Sequence, residues 1–286
     1  MSDMSDYREL NLEEIHEKIC DLMVFFHEFC EKHQLRYFLS YGSLIGAIRH
    51  KGFIPWDDDF DVQMPREDFL RFLELFEKEY SGSRIYKVCT RANTSNYYFG
   101  IPRLCDQRFK YVTQIEALEP FEQGIFIDIY PLDNYGNSVE EAGKLKMQAR
   151  KINRDFTIYV NRRSASSKWK TPFKMVANKL MHLKYGEDFP LKVDRMIYDN
   201  IKAQTSDKDR YIGVICWEQR VVPYEREWFA KRVLWDFETY QFWVPEKYDE
   251  VLRQSYGNYM ELPPEDQRVM THNYKIYEKP ESEYAG

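Results

Sequence analysis

The sequence lacks the patterns that span a membrane or direct export. No stretch approaches the roughly 18 uninterrupted apolar residues that a membrane-spanning helix needs. The start, MSDMSDYRELNLEE, is acidic and has no basic segment followed by an apolar run, which a secretory signal requires. We therefore expect a cytoplasmic protein.

Cysteine is scarce, and its spacing excludes two kinds of stabilising site. The five cysteines are odd in number, widely separated and without a Cys-x-x-Cys pair: Cys20, Cys30, Cys89, Cys105 and Cys216. This distribution favours neither a disulfide framework nor a zinc site. We expect reduced thiols that pack as small hydrophobic side chains.

The chain also lacks internal repeats, low-complexity tracts and linkers rich in Gly, Ser or Pro. Its 286 residues are 43% hydrophobic and 16% aromatic, which is enough to bury a sizeable core. This composition excludes a disordered chain and predicts a globular protein.

Local patterns predict the secondary structure in outline. Apolar residues at helical spacing follow Asn11, which forms a predicted capping box with Glu14, and Ser138 with Glu141 repeats that pattern. Other predicted helices are 44–50, 65–81, the region 138–204, and 245–256, the last with Pro245 in its first turn and Gly257 as its C-cap. Predicted strands are 35–41, 59–62, 85–90, 98–104, 124–133 and 210–216.

The most informative stretch is 41–65, because it crowds carboxylates among apolar neighbours. Four of them occupy five positions, at Asp57, Asp58, Asp59 and Asp61. Such crowding is costly unless a cation compensates it. The alternation from Asp59 to Val62 predicts a strand with Asp59 and Asp61 on one face, an arrangement that suits a hard divalent cation such as Mg²⁺.

Two simpler interpretations compete with a metal site. Clustered aspartates usually mark a solvated acidic loop or a helix N-terminus, although the flanking Trp56 and Phe60 argue against both. An EF-hand loop would need Gly and Glu where the sequence has Val62 and Asp68, so that alternative fails.

Gly42 and Ser43 precede the acidic run and follow a predicted strand. Gly allows a tight turn and a close backbone approach, and Ser43 is predicted to open the helix 44–50, which would direct amides and a hydroxyl at an anion. The alternative is an ordinary helix cap without a ligand.

A further carboxylate, Asp128, lies inside the apolar strand GIFIDIYPLD at 124–133. A buried carboxylate is rarely left without a metal, a basic partner or hydrogen-bond donors. Asp128 is therefore either a salt-bridged core residue or the third ligand of a metal site with Asp59 and Asp61.

Three segments carry a family resemblance. They are 41–69, 124–133 and 256–267, which read YGSLIGAIRHKGFIPWDDDFDVQMPREDF, GIFIDIYPLD and YGNYMELPPEDQ. They resemble the signatures of the LicD family of phosphotransferases, which attach phosphocholine to teichoic acids or lipopolysaccharide and have fukutin and fukutin-related protein as animal relatives. The resemblance spans about residues 35 to 275.

The resemblance implies an α/β (α+β) nucleotidyltransferase-like fold, with a mixed sheet, surrounding helices and a helical insert. It implies Asp59, Asp61 and Asp128 as the catalytic metal ligands, Gly42 and Ser43 at the donor phosphates, and Mg²⁺ or alternatively Mn²⁺ as cofactor. Asp57 belongs to the same D-x-D-x-D run, so either Asp57 or Asp61 is the second ligand beside Asp59. Arg49 and Lys51 are predicted to neutralise donor charge.

The implied reaction is in-line transfer of phosphocholine from CDP-choline to a sugar of a cell-surface glycopolymer precursor. The expected partners are this donor, an anionic lipid-linked glycan and the inner membrane surface, where the protein would be peripheral, but no nucleic acid. Candidates for binding choline are Trp56, Tyr97, Tyr98 and Trp217. The alternatives are a D-x-D glycosyltransferase that uses a nucleotide sugar and a non-catalytic cation-binding module.

The helical region contains a strongly basic segment, 144–184, with twelve Lys and Arg residues against Asp155 alone, a net charge of +11. We predict that it docks on a membrane or on the acceptor, the alternative being a solvated face. The predicted organisation is a catalytic core over 1–137, a basic helical insert over 138–205 and a C-terminal part over 206–286 that completes the core. His272 is predicted to be a structural hydrogen-bond partner rather than a ligand.

Overall fold

The computed structural model describes residues 5–113, 121–161, 170–217, 220–269 and 274–284. His272 and the stretch 162–169 of the basic segment lie outside these ranges.

The described residues form helices and strands, several of which follow one another in runs of the same type. The helices are α1 (Leu12–Lys32), α2 (Tyr41–Ile45), α3 (Arg66–Tyr80), α4 (Val139–Val160), α5 (Thr171–Tyr185), α6 (Phe189–Lys202) and α7 (Tyr248–Tyr256), and a π-helical turn, Gly46–His50, follows α2. The strands are β1 (Arg8–Glu9), β2 (Phe38–Leu39), β3 (Asp61–Pro65), β4 (Tyr86–Cys89), β5 (Arg103–Asp106), β6 (Phe109–Thr113), β7 (Ile125–Asn134), β8 (Tyr211–Gly213), β9 (Tyr224–Glu225), β10 (Arg232–Phe237), β11 (Tyr240–Pro245) and β12 (Tyr274–Glu278).

A mixed sheet forms the centre of the molecule. Its main path runs β2, β3, β7, β5, β4, and β8 with β9 extends it from the end of β7. β3 is parallel to β7, whereas the other pairs are antiparallel. Two smaller sheets among the described residues are separate from it. One has three strands in the order β1, β12, β6, and the other is the hairpin of β10 and β11. The predicted mixed α/β class is confirmed.

The first helix shows how the sequence builds this core. The Asn11 side chain accepts a hydrogen bond from the Glu14 amide, and the Glu14 side chain accepts one from the Asn11 amide, which is the predicted capping box. The apolar face of α1 is buried, and the Phe26 ring makes edge contacts with Tyr37 and Phe72. Burial of this face anchors α1 against the sheet.

Several predicted boundaries are wrong. The strand predicted at 35–41 is only Phe38–Leu39, and α2 already begins at Tyr41. The strand predicted at 98–104 begins at Arg103. Pro245 does not open a helix, because it ends β11 opposite Arg232 and α7 starts only at Tyr248.

The helical region 138–204 consists of α4, α5 and α6, which share a second buried cluster with Phe156 and Phe189 at its centre. Ser138 caps α4 by accepting from the Glu141 amide, while the Glu141 side chain accepts from the Asn137 amide instead of closing the predicted box on Ser138. The boundaries at 137 and 205 stay predictions.

Across the described residues, no helix has the length and apolarity that crossing a membrane requires.

Candidate active site

Three carboxylates meet where β3 and β7 run side by side. Asp61 begins β3 and lies directly opposite Asp128 in the parallel register, and Asp59 is two residues upstream. One oxygen from each of the three lies within 4.8 Å of the others. Asp59 precedes the strand, so the predicted alternation over 59–62 misplaced the strand even though it selected the two aspartates that come together. Their role as metal ligands stays a prediction.

This arrangement disfavours the charged form of Asp61. Burial raises the pKa of its carboxyl well above the ordinary value, and the negative charges of Asp59, Asp128 and Asp57 raise it further, while a hydrogen bond with Tyr130 opposes them. Within the described part of the chain, Asp61 Oδ1 is buried and has no hydrogen-bond partner. An all-oxygen site with excess negative charge and an unused buried oxygen fits a hard divalent cation.

Asp57 differs from Asp61 in its surroundings. Among the described residues, it does not belong to the group of carboxylates within 4.8 Å of one another. Its side chain lies against Gly42 instead, since a Cβ on Gly42 would fall 2.2 Å from Asp57 Oδ2. The close approach of Asp57 therefore explains why a residue without a Cβ suits position 42. Backbone conformation does not explain it, because Gly42 has no positive φ.

Gly42→Ala is therefore expected to displace the Asp57 carboxylate and to destabilise the fold by about 1 kcal/mol, the lower end of the usual cost of overpacking, because the clash is with the end of a side chain. Gly82→Ala is the matched control, because a Cβ there meets nothing within 4 Å. Urea unfolding of both variants measures the difference, and equal midpoints would contradict this account of Gly42.

Ser43 supports the site from behind. It lies inside α2 and does not open a helix at residue 44 as predicted, and its Oγ accepts a hydrogen bond of 2.8 Å from the Asp61 amide. Ser43 therefore fixes the start of β3, and donor binding by Gly42 and Ser43 stays a prediction.

The acidic loop is also held by distant parts of the chain. The Tyr274 hydroxyl in β12 donates to the Asp58 carbonyl at 2.6 Å. His16 Nε2 in α1 lies 2.6 Å from the Asp57 carbonyl. The backbone that presents the carboxylates is thus fixed from two sides.

Arg49 and Lys51 precede the acidic loop in the chain and lie at the end of the π-helical turn, Gly46–His50. Arg49 Nη1 donates to the carbonyls of Tyr259 (2.6 Å) and Glu261 (3.4 Å), and burial lowers its pKa. Lys51 is exposed and adopts a left-handed φ of 60°. Arg49 thus ties the C-terminal signature segment to the first one, and the predicted contact of both residues with donor phosphates stays a prediction.

Arg103 is a site residue that the sequence analysis missed. It opens β5 opposite Asp128, and its Nε and Nη2 donate to the two Asp128 oxygens at 2.6 and 3.2 Å, with both side chains buried. The guanidinium also stacks 3.8 Å from the Phe99 ring centre and 3.9 Å from that of Phe126. Asp128 is therefore both a salt-bridged core residue and a member of the carboxylate group.

Aromatic side chains flank the carboxylates, and we call Tyr98, Phe99, Tyr130 and Trp217 the aromatic wall. Tyr130, which hydrogen-bonds Asp61, lies 6.1 Å from the Trp217 ring, and Trp217 lies 5.8 Å from Phe99. Tyr98 packs on Phe99 at 4.3 Å. Trp217 remains 41% exposed, so its ring is accessible from outside. Trp56, another sequence candidate, instead lies beside His50 and Arg268, and Tyr97 is buried.

Comparison with known proteins decides the family. The lipopolysaccharide cholinephosphotransferase LicD of Haemophilus influenzae is 32% identical over 276 residues, which cover 94% of this chain and 99% of that protein. The chain belongs to the LicD family. The family model described as LicD/FKTN/FKRP, nucleotidyltransferase domain, matches residues 34–157 of this LicD family member, a range that includes Asp59, Asp61, Arg103 and Asp128.

Two shorter matches agree with that range. Uncharacterized proteins of Rickettsia prowazekii and Rickettsia typhi are 31% and 30% identical over 117 and 127 residues, which cover 38% and 39% of this chain. Their names assign no activity, so the H. influenzae relative alone of these three indicates the chemistry.

Proposed function

We propose that this LicD family member is a phosphotransferase that moves phosphocholine from CDP-choline to a sugar of a cell-surface glycopolymer precursor of the lipopolysaccharide or teichoic acid type. The observation that carries the proposal is the group of Asp59, Asp61 and Asp128 in a chain related over 94% of its length to a lipopolysaccharide cholinephosphotransferase. We place the reaction in the cytoplasm, at the inner face of the cell membrane.

The same three aspartates would hold Mg²⁺, or alternatively Mn²⁺, because carboxylate oxygens are the ligands that these cations prefer. A bound cation would neutralise charge on the donor diphosphate and lower the pKa of the acceptor hydroxyl. In this scheme Asp61 is the ligand beside Asp59, and Asp57 supports the loop. The nucleotidyltransferase-like assignment of the core is part of the same proposal.

The protein's other residues orient this group. Arg103 fixes both oxygens of Asp128, Tyr130 hydrogen-bonds Asp61, and Ser43 holds the Asp61 backbone. Arg49 and Lys51 would balance the charge of the departing CMP. Phosphoryl transfer depends mainly on such positioning and charge compensation, so a rigid carboxylate frame serves the chemistry directly.

The aromatic wall supplies the surface for choline. A quaternary ammonium is weakly hydrated and is attracted by the negative faces of aromatic rings. Tyr130 links the wall to Asp61, so a phosphoryl group at the carboxylates would place its choline beside the accessible Trp217 ring.

CDP-choline is therefore expected to bind more tightly than CDP-ethanolamine, by about 1 to 2 kcal/mol, because only its trimethylated head favours an aromatic surface. Isothermal titration with Mg²⁺ measures both affinities. Trp217→Ala should remove the preference and Trp243→Ala should keep it, since Trp243 lies on the β10–β11 hairpin under Arg232. Equal binding of the two donors to the unmodified protein would refute the choline assignment and leave the phosphotransferase class standing.

A donor panel tests the reaction class itself. The protein is incubated with Mg²⁺, a glycan acceptor whose hydroxyl can take the transferred group, and CDP- or UDP-linked donors, and the released nucleotide is identified. We expect CMP from CDP-choline and loss of turnover on adding chelator. UDP release from a nucleotide sugar would indicate the glycosyltransferase, and binding without turnover would indicate a cation-binding module.

A further inference from the structure

Helix α5 presents an apolar surface to solvent. Phe173, Val176, Leu180 and Leu183 recur at helical spacing and are 71%, 60%, 55% and 85% exposed. Because residues spaced by three and four lie on one face of a helix, these side chains form a continuous strip, which we call the α5 strip. Isolated exposed apolar residues are common, but an ordered row of this kind marks an interaction surface.

The attachment of α5 to the rest of the protein explains why this strip stays outside. Within α5, all of which the structure describes, Asn178 is the single buried residue. Its Nδ2 donates to the carbonyls of Ile158 (3.0 Å) and Tyr159 (2.5 Å) at the end of α4. The His182 ring stacks on Tyr159 with centroids 3.8 Å apart. The helix is therefore fixed to α4 through polar and aromatic contacts on one side, where Met181 also packs against the second buried cluster, while the aliphatic side chains of the α5 strip face away from it.

The charged residues of α5 are of one sign. Lys170 at its N-cap and Lys174, Lys179 and Lys184 within it are all basic, and the sequence from 156 to 186 contains no acidic residue. Lys184 pairs with Asp155 at 3.0 Å on the side that faces α4. An apolar row bordered by lysines is the pattern of a helix that lies in the interface of an anionic bilayer.

We propose that α5 docks the protein on an anionic lipid bilayer, with the α5 strip in the boundary between headgroups and acyl chains and the lysines at the level of the lipid phosphates. A second copy of the chain is a less suitable occupant, since a symmetric contact through this strip would bring the two sets of lysines together. The inference rests on the proposed function only in that docking would bring the enzyme to a lipid-linked acceptor. Donor chemistry takes no part in it.

The test is co-sedimentation of the full chain with vesicles of equimolar phosphatidylglycerol and phosphatidylcholine, or of phosphatidylcholine alone, at about 0.1 M salt. The unmodified protein should bind the anionic vesicles. Leu180→Gln combined with Leu183→Gln should weaken that binding by about tenfold or more, because two exposed leucines no longer enter the bilayer. The control, Val139→Gln with Leu234→Gln, removes two apolar side chains elsewhere that are 59% and 44% exposed, and it should leave vesicle binding unchanged.

A second pair of changes tests the charges independently of the strip. Lys174→Gln with Lys179→Gln should weaken binding to anionic vesicles and make that binding less sensitive to salt. Binding to phosphatidylcholine alone, which we expect to be weak, should not change. With a water-soluble glycan acceptor in place of vesicles, whose hydroxyl takes the phosphocholine as CMP leaves, CMP release from CDP-choline should be the same in all these variants. If the unmodified protein releases no CMP in this mixture, the proposed function is refuted, and the vesicle result is judged alone.

Two outcomes would overturn the docking proposal. One is failure of the unmodified protein to sediment with anionic vesicles, or equal sedimentation of the Leu180→Gln, Leu183→Gln variant. The other is a dimer, measured by size exclusion with light scattering, that the leucine changes convert to a monomer, because the strip would then be covered by a second copy of the chain.

Discussion

Asp61→Asn is expected to lower phosphocholine transfer by about 10³-fold or more, the scale on which phosphoryl transfer depends on charge stabilisation. The same change should stabilise the metal-free protein. Asp61 is buried beside two other carboxylates, and removing its charge removes both its desolvation cost and their repulsion. Loss of activity together with gain of stability distinguishes a crowded ligand from an ordinary structural residue.

The pH dependence of this effect follows from the raised pKa of Asp61. The folded protein keeps the Asp61 proton to higher pH than the unfolded chain, whose carboxyl has the ordinary value of 3.8. Stability of the metal-free protein therefore falls as pH rises from that value towards the folded pKa, and the asparagine variant escapes this loss. The advantage of Asp61→Asn should be small below the unfolded value of 3.8 and should grow as pH rises towards the folded pKa.

Thermal unfolding in chelator, followed by addition of Mg²⁺, measures these effects. Mg²⁺ should raise the Tm of the unmodified protein and have little effect on the variant. Asp57→Asn is the matched control, since Asp57 contacts Gly42 outside the carboxylate group, and it should retain most of the activity. If Asp57→Asn loses the activity and Asp61→Asn keeps it, the assignment of Asp61 beside Asp59 is wrong.

Arg103→Met is expected to destabilise the protein by about 3 to 5 kcal/mol, the usual cost of leaving one member of a buried ion pair alone. Asp128 would lose a bidentate partner at a position where both side chains are buried. Asp128→Asn should also destabilise the fold, because it leaves the Arg103 guanidinium buried without its counter-charge. It thus contrasts with Asp61→Asn, although both remove a carboxylate from the same group.

Urea denaturation measures the Arg103 effect, with Arg210→Met as control. The Arg210 side chain in the pair with Glu225 is 60% exposed, so water screens the interaction and its loss should cost much less than the loss of Arg103. The double change Arg103→Met, Asp128→Leu should recover part of the loss, since neither charge then remains buried. Equal destabilisation by Arg103→Met and Arg210→Met would contradict a buried clamp on Asp128.

Local features of this protein could be predicted from the sequence, and long-range ones could not. Asn11 and Glu14 make a cap within one helical turn, and the apolar run around Asp128 predicts β7. The pairing of Arg103 with Asp128 depends on the register of β5 against β7, which no local pattern contains. Arg103 offers only one weak signal, a charged residue in a buried strand.

The β10–β11 hairpin was missed for a different reason. Its turn places Glu238 at a φ of 52°, in the left-handed region where Gly or Asn is the usual signal. The Glu238 carboxylate accepts a hydrogen bond from the Phe53 amide and lies over Gly52, so tertiary contacts hold a conformation that the local sequence does not favour. The pairing of β10 with β11 also explains the error at Pro245. Pro245 lies opposite Arg232 at the end of β11, where the sequence predicted the start of a helix.

The contacts that Tyr274 makes with the acidic loop, and Arg49 with the C-terminal signature segment, have a consequence for biosynthesis. Tyr274 is separated from Asp58 by 216 positions and Arg49 from Tyr259 by 210, so the aspartates leave the ribosome long before the residues that fix their loop. A nascent chain can pair β3 with β7 and still lack the finished carboxylate frame. Competence to bind the proposed cation would therefore arrive only near the end of translation, and a chain truncated before β12 would carry the aspartates without the contacts that fix their loop.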